Sequence, residues 1–98
     1  MSMSGAQKIV DLKSVYDDGA ILQIRIWQLP YRTIERPHGL KYSLFYGRAG
    51  ERIIGYDNEA GKGDHCHHRS RQTPYRFRSL EKLLSDFRDD VRRERADG

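Results

Sequence analysis

Residues 17–29 read DDGAILQIRIWQL. Asp-Gly supplies the positive φ angles of a two-residue hairpin turn. The stretch after it alternates, with Leu22, Ile24 and Ile26 on one face and Gln23, Arg25 and Trp27 on the other. A period of two marks a strand with one buried face. The preceding QKIVDLKSVY (7–16), mixed polar and β-branched, is the other arm, so 7–29 is predicted as a β-hairpin. Pro30 ends it, and YRTIERPHG (31–39) reads as a loop.

The same logic carries on along the chain. KYSLFYG (41–47), RAGE (48–51) and RIIGYDN (52–58) form a second hairpin, with Tyr42, Leu44 and Tyr46 sharing a face. Gly55 within the returning strand indicates a bulge or a close backbone approach. EAGKGD (59–64) is a glycine loop, and short strands are expected at 65–69 and 74–78, joined through RSRQT. Ser79 is a candidate N-cap for LEKLLSDFRDDVRRERA. Leu80, Leu83, Leu84, Phe87 and Val91 make one apolar stripe at helical spacing, opposite Glu81, Lys82, Asp89, Arg92 and Arg93. The expected architecture is α+β: an antiparallel sheet of four to five strands, made of two hairpins plus short strands, covered on one face by a C-terminal helix. It occupies a single domain over residues 1–98, with 1–6 and 94–98 frayed.

Composition excludes several classes. No apolar run approaches the ~18 residues of a membrane span, and MSMSGAQK lacks the apolar core of a secretory signal. The single cysteine, Cys66, excludes an internal disulfide framework. A cytoplasmic protein is the simplest expectation. The formal net charge is +4, and all of it resides in residues 62–78, where Lys62, Arg69, Arg71, Arg76 and Arg78 face one acid, Asp64. A local basic excess points to an anionic partner such as nucleic acid. A solvated basic loop is the plain alternative.

The same stretch holds YDNEAGKGDHCHH (56–68), with three of the four histidines. In an extended segment His65 and His67 point to one side, Cys66 and His68 to the other. Four readings compete. A His-x-His pair can chelate zinc if Asp57 or Asp64 adds a ligand. Two imidazoles can instead exchange protons, since the histidine pKa lies near neutrality. In RNA cleavage one would deprotonate the 2′-hydroxyl and the other protonate the leaving oxygen. Lys62 and Arg69 would stabilise phosphate charge, with Lys41 or Tyr42 reaching in from the neighbouring hairpin. This chemistry needs no metal and no cofactor. AGKGD lacks the spacing of a nucleotide P-loop, though its amides can nest a phosphate. In the fourth reading the histidines only bond locally.

DDGAILQIRIWQLP, YDNEAGKGDHCHH, PYRF (74–77) and SLEKLLSDFRDDV together resemble the TumE family of small bacterial toxin–antitoxin proteins, over residues 10 to 92. The most specific part is Tyr56-Asp57-Asn58-Glu59, then Gly61 to His65, then His67. The resemblance implies a cytoplasmic growth inhibitor neutralised by a helix-turn-helix antitoxin. It makes Asp57, Lys62, Asp64, His65 and His67 motif positions and gives no role to Cys66 or His68.

Small toxins commonly act on RNA, which ranks acid–base chemistry above metal binding. The resulting expectation is a metal-independent endoribonuclease. His65 and His67 exchange protons, Asp57 or Asp64 orients an imidazole, and Lys62 with Arg69 or Arg71 holds the phosphate. Arg76, Lys41 and Tyr42 extend the RNA contact. The alternatives are a non-enzymatic module gripping nucleic acid or antitoxin through the basic patch, and a His-x-His metal protein.

Overall fold

The computed structural model describes residues 5–59 and 61–97. Residues 1–4 and 98, at the expected frayed ends, and Ala60 of the glycine loop lie outside the described residues. The elements are β1 (Gln7–Val15), β2 (Ile21–Gln28), β3 (Leu40–Arg48), β4 (Glu51–Asp57), β5 (His65–His68), β6 (Arg71–Pro74) and α1 (Leu80–Asp97). The strands form one antiparallel meander in chain order, β1-β2-β3-β4-β5-β6. The α+β class and the C-terminal helix are as expected. The sheet has six strands rather than four or five.

The sixth strand differs from the expectation because the last turn is tighter. His68 pairs with Arg71, so only Arg69 and Ser70 join β5 to β6. Arg69 takes a left-handed φ of 57° to make that reversal. The returning strand is therefore 71–74, not 74–78, and Pro74 stops it. The first hairpin also departs from a two-residue turn. Among non-glycines of the described residues only Arg69 has positive φ, so Asp18 does not adopt the turn that an Asp-Gly pair would need. Instead Tyr16 N–H donates to the Ala20 carbonyl (2.8 Å) around a three-residue loop, with Gly19 at φ 89°.

One face of the sheet is apolar. Ile24, Leu44 and Tyr56 lie side by side in register, as do Ile26 with Tyr42, and Tyr46 with Ile54. All are buried, and Leu83, Phe87 and Val91 of α1 close over them. The helix starts where predicted: Lys82 N–H donates to the Ser79 hydroxyl at 3.0 Å. It continues through Asp97 and so takes in residues 94–97. Glu94 is held by Arg69 (2.7 Å), and Arg95 donates to the Tyr46 hydroxyl (2.9 Å). Two further tyrosines bind the helix through their hydroxyls: Tyr56 donates to Asp90 (2.5 Å) and Tyr75 to Asp86 (2.7 Å). Burial, reinforced by these carboxylates, raises the pKa of both phenols. None of the described helices is long and apolar enough to cross a membrane.

Phe87 is fully buried at the centre of the helix contact and meets the Tyr56 ring edge-on at 6.0 Å. Phe87→Ala is expected to destabilise the fold by about 3–5 kcal/mol in urea unfolding. Arg88→Ala, one residue along on the exposed side, is expected to stay within about 0.5 kcal/mol of wild type.

Candidate active site

The opposite face of the sheet carries the polar cluster. Alternation places Asp57 and His65 in one cross-strand pair and Gly55 and His67 in the next, all pointing away from α1. Cys66 and His68 point to the face opposite His65 and His67, as the sequence predicted, and that face is the helix side: Cys66 Sγ meets the Thr73 hydroxyl at 3.2 Å and His68 meets Glu94 at 3.2 Å. His65 and His67 are both buried, with ring centroids 4.8 Å apart.

Arg52 joins this cluster through a bulge. By strict alternation it would share the helix face with Ile54 and Tyr56. The register between β3 and β4 shifts so that Tyr46 pairs with Ile54 while Gly47 pairs with Arg52, leaving Ile53 as the extra residue. Arg52 thereby gains the phase of Gly55 and Asp57. Gly47 has to be glycine there, since a Cβ would lie 2.1 Å from the Glu51 carbonyl oxygen. Gly55 then gives the Arg52 side chain its path, because a Cβ on Gly55 would come within 2.7 Å of Arg52 Cδ. The expected irregularity near Gly55 is thus a bulge two residues earlier, with Gly55 as the seat for the arginine.

The proton inventory is specific. His65 Nδ1 lies 3.0 Å from the Gly63 carbonyl, an acceptor, so Nδ1 carries a proton. Its Nε2 lies 2.6 Å from Asp57 Oδ1. This is a close contact of poor alignment rather than a hydrogen bond, and Asp57 Oδ1 is buried without a hydrogen-bond partner among the described residues. His67 is held the other way round. Arg52 Nη2 donates to its Nδ1 at 2.9 Å, so the His67 lone pair sits at Nδ1 and its proton at Nε2. Nε2 in turn faces Asp57 Oδ2 at 3.7 Å, and Arg52 Nη1 approaches the same oxygen at 3.8 Å. Burial, and then the adjacent guanidinium, lower the His67 pKa from its ordinary 6.5, so the ring is neutral at pH 7.

The remaining predicted residues are divided among other sites. Lys62 lies on the exposed loop, 3.8 Å from Glu59, and adds a small positive field at His67. Asp64 does not orient His65 or His67. It accepts from the Tyr42 hydroxyl (2.6 Å) and from His38 Nε2 (3.0 Å), while His38 Nδ1 accepts from Leu40 N–H (3.1 Å). His38 also packs on Phe77 at 4.1 Å. Tyr42 is a core residue on the helix side, with its phenol pKa raised by burial and by Asp64. Arg69 is held by Glu51 (3.2 Å) and Glu94 (2.7 Å), on the helix side of the sheet from the histidines. Lys41 stands over Trp27, its Nζ 5.2 Å from the ring centre. Arg71 and Arg76 are exposed on β6 and just after it.

Sequence reasoning missed Arg52 and His38. Nothing in the local spacing of either announces a partner: one depends on the bulge, the other on a contact 26 residues away.

Asp57, His65 and His67 also place one potential ligand atom each within 4.8 Å of one another. Their chemistry suits a divalent metal only in part. Metal-bound imidazoles give their second N–H to an acceptor. His65 does this through Gly63, whereas the second nitrogen of His67 faces a guanidinium, which is a donor only.

Removing the guanidinium is expected to raise the His67 pKa towards 6.5, read by NMR titration of the ring protons in Arg52→Gln. Gly55→Ala should shift it in the same direction by displacing the Arg52 side chain. The sign for stability follows. A histidine whose pKa is lowered by folding stabilises the fold above its unfolded value, and that contribution is lost as the pH falls below 6.5 through the folded value. Arg52→Gln should therefore weaken this acid sensitivity.

The family model described as Toxin TumE matches residues 3–95. No curated protein and no solved structure matches the chain. The match spans both hairpins, the histidine strand and the helix, and so includes every residue of the polar cluster. The chain belongs to the TumE toxin family.

Proposed function

We propose that this toxin is a metal-independent endoribonuclease whose centre is Asp57, His65, His67 and Arg52. The observation that carries the reading is the pairing of two differently held imidazoles on one strand. One stands 2.6 Å from the Asp57 carboxylate, and the other is kept neutral under an arginine at 2.9 Å. An acid and a base held side by side with a phosphate-binding cation are what transesterification of RNA requires.

In this reaction an RNA phosphate draws the Arg52 guanidinium away from His67, since a guanidinium pairs more strongly with a phosphate than with a neutral imidazole. That frees the Nδ1 lone pair to take the proton of the 2′-hydroxyl. The 2′-oxygen attacks phosphorus, the bond to the 5′-oxygen breaks, and His65, acting as the general acid beside the Asp57 carboxylate, gives the departing oxygen a proton from Nε2. The products are a 2′,3′-cyclic phosphate and a 5′-hydroxyl. Arg52 takes the phosphate-binding role that the sequence gave to Lys62 with Arg69 or Arg71. Lys62, Arg71 and Arg76 supply longer-range attraction, and Lys41 with Trp27 offers a cation and a stacking surface. The antitoxin, of helix-turn-helix type in this reading, neutralises the toxin by covering the open face.

A second reading is favoured by the clustering of three ligand atoms within 4.8 Å. A divalent metal would bind Asp57, His65 and His67 once Arg52 swings out and His67 moves its proton to Nδ1. Both readings make the same residues essential and differ in what sustains activity.

The discriminating measurement is cleavage of end-labelled single-stranded RNA in EDTA. Wild type is expected to cut and leave cyclic-phosphate ends. His67→Ala should lose about 10²–10⁴-fold in rate, the range for a general acid or base, and Arg52→Gln should lose activity with its fold retained. Stoichiometric zinc in the purified toxin, with activity abolished by chelation and restored by zinc, would replace this reading by the metal one. A folded His65→Ala/His67→Ala variant that remains toxic would remove both.

A further inference from the structure

The two edges of the sheet are not equivalent. β6 is four residues long and ends on Pro74, features that discourage pairing with another strand. β1 is nine residues long, regular from Val10 to Val15 after a bulge at Ile9, contains no proline, and is exposed at every position but one. Among the described residues it has a neighbour only on its β2 side. Three apolar side chains along it stand in solvent: Ile9 at 43%, Leu12 at 48% and Val15 at 62%. A long edge with unpaired backbone groups and exposed apolar residues is a template for another strand.

The residue pattern identifies that strand. Pair β1 antiparallel with a second β1 about a twofold axis through Leu12. Leu12 then meets Leu12, and Asp11 meets Lys13 and Val10 meets Ser14 on both sides of the axis, all beyond the register shift between Lys8 and Val10. Opposite charges and the central leucines each find their complement. Neighbouring registers lack this property. An axis through residue 11 sets Asp11 against Asp11, and one through residue 13 sets Lys13 against Lys13, and like charges directly opposite are destabilising. Asp11 has room for the contact: its carboxylate is 51% exposed even with Lys8 3.1 Å away.

We propose that β1 pairs with β1 of a second copy, joining two six-stranded sheets edge to edge through a twofold axis at Leu12. Such an interface is isologous and closes on itself, so it consumes the free edge and leaves no template for further growth. Directly paired residues lie on the same face of a sheet, so the two open faces, each with Arg52 and its histidines, lie on one side of the joined sheet. This arrangement stands independently of whether the site cleaves RNA.

The test is sedimentation velocity on the full-length toxin and charge-swapped variants, with circular dichroism to confirm folding. Wild type is expected at twice its 11.5 kDa mass. Asp11→Lys and Lys13→Asp each put like charges at both crossings and should weaken the dimer at least about ten-fold. The double variant Asp11→Lys/Lys13→Asp restores opposite charges and should restore the dimer. A monomeric wild type would overturn the proposal. So would a dimer indifferent to both single swaps, or a folded double variant that stays monomeric. A monomeric wild type whose single swaps instead weaken antitoxin binding would assign the edge to the antitoxin and equally overturn self-pairing.

Discussion

One extra residue in β4 determines what this protein can do with its histidines. Side chains alternate along a strand, so a residue's parity decides its face. Without the bulge at Ile53, Arg52 would point towards α1 and bring a cation into the core side. With it, the guanidinium reaches His67 Nδ1 and the Asp57 carboxylate. Two glycines make the shift feasible. Gly47 admits the bulged backbone and Gly55 clears the path of the arginine. The cluster therefore depends on two residues that contribute no functional group to it.

The helix enforces the same separation from the other side. Tyr56 points inward to Asp90 and Phe87, so its neighbour Asp57 points outward. The two aspartates of the motif then take unrelated tasks. Asp57 lies against His65 and His67. Asp64 holds Tyr42 and His38, which pins the end of the glycine loop against the 31–39 loop and the Phe77 segment. Asn58 anchors the other end of the glycine loop: it accepts from Tyr42 N–H at 3.0 Å and donates to the Leu40 carbonyl at 2.8 Å, in place of a strand residue. With both ends held, Gly63 has a fixed carbonyl to offer His65, and the tautomer of that ring follows from the loop's anchoring.

Periodic features were legible in the sequence, and features that break the period were not. The alternation of 21–29 and the apolar stripe from Leu80 to Val91 were read directly, and both faces came out as predicted. The strand parity of His65 and His67 was equally plain. The three-residue turn at 17–19 and the two-residue turn at 69–70 depend on which residue accepts a left-handed φ, and Arg69 gives no compositional hint that it does. Among basic residues, proximity in sequence misled. Arg69 follows the histidines closely but turns with the chain to Glu51 and Glu94, while Arg52, thirteen positions before His65, lies against its neighbour His67. On a sheet the next strand is closer than the next turn. The site is therefore assembled across strands, and a reading along the chain finds only the members that share one.

The charge state of the cluster follows from its burial. Two imidazoles and a carboxylate taken from water would be costly if each carried full charge alone. The structure keeps one imidazole neutral beneath a cation and sets the other 2.6 Å from the carboxylate. The two rings are thus held asymmetrically. That asymmetry suits the roles in the proposed reaction: the ring under the arginine has a lone pair to uncover, and the ring against the carboxylate is the one placed to give a proton. In the proposed reading an anion ranks above a metal as partner of the site. A phosphate would only relieve Arg52 of its weak acceptor, whereas a metal would have to displace the guanidinium and move the His67 proton to Nδ1.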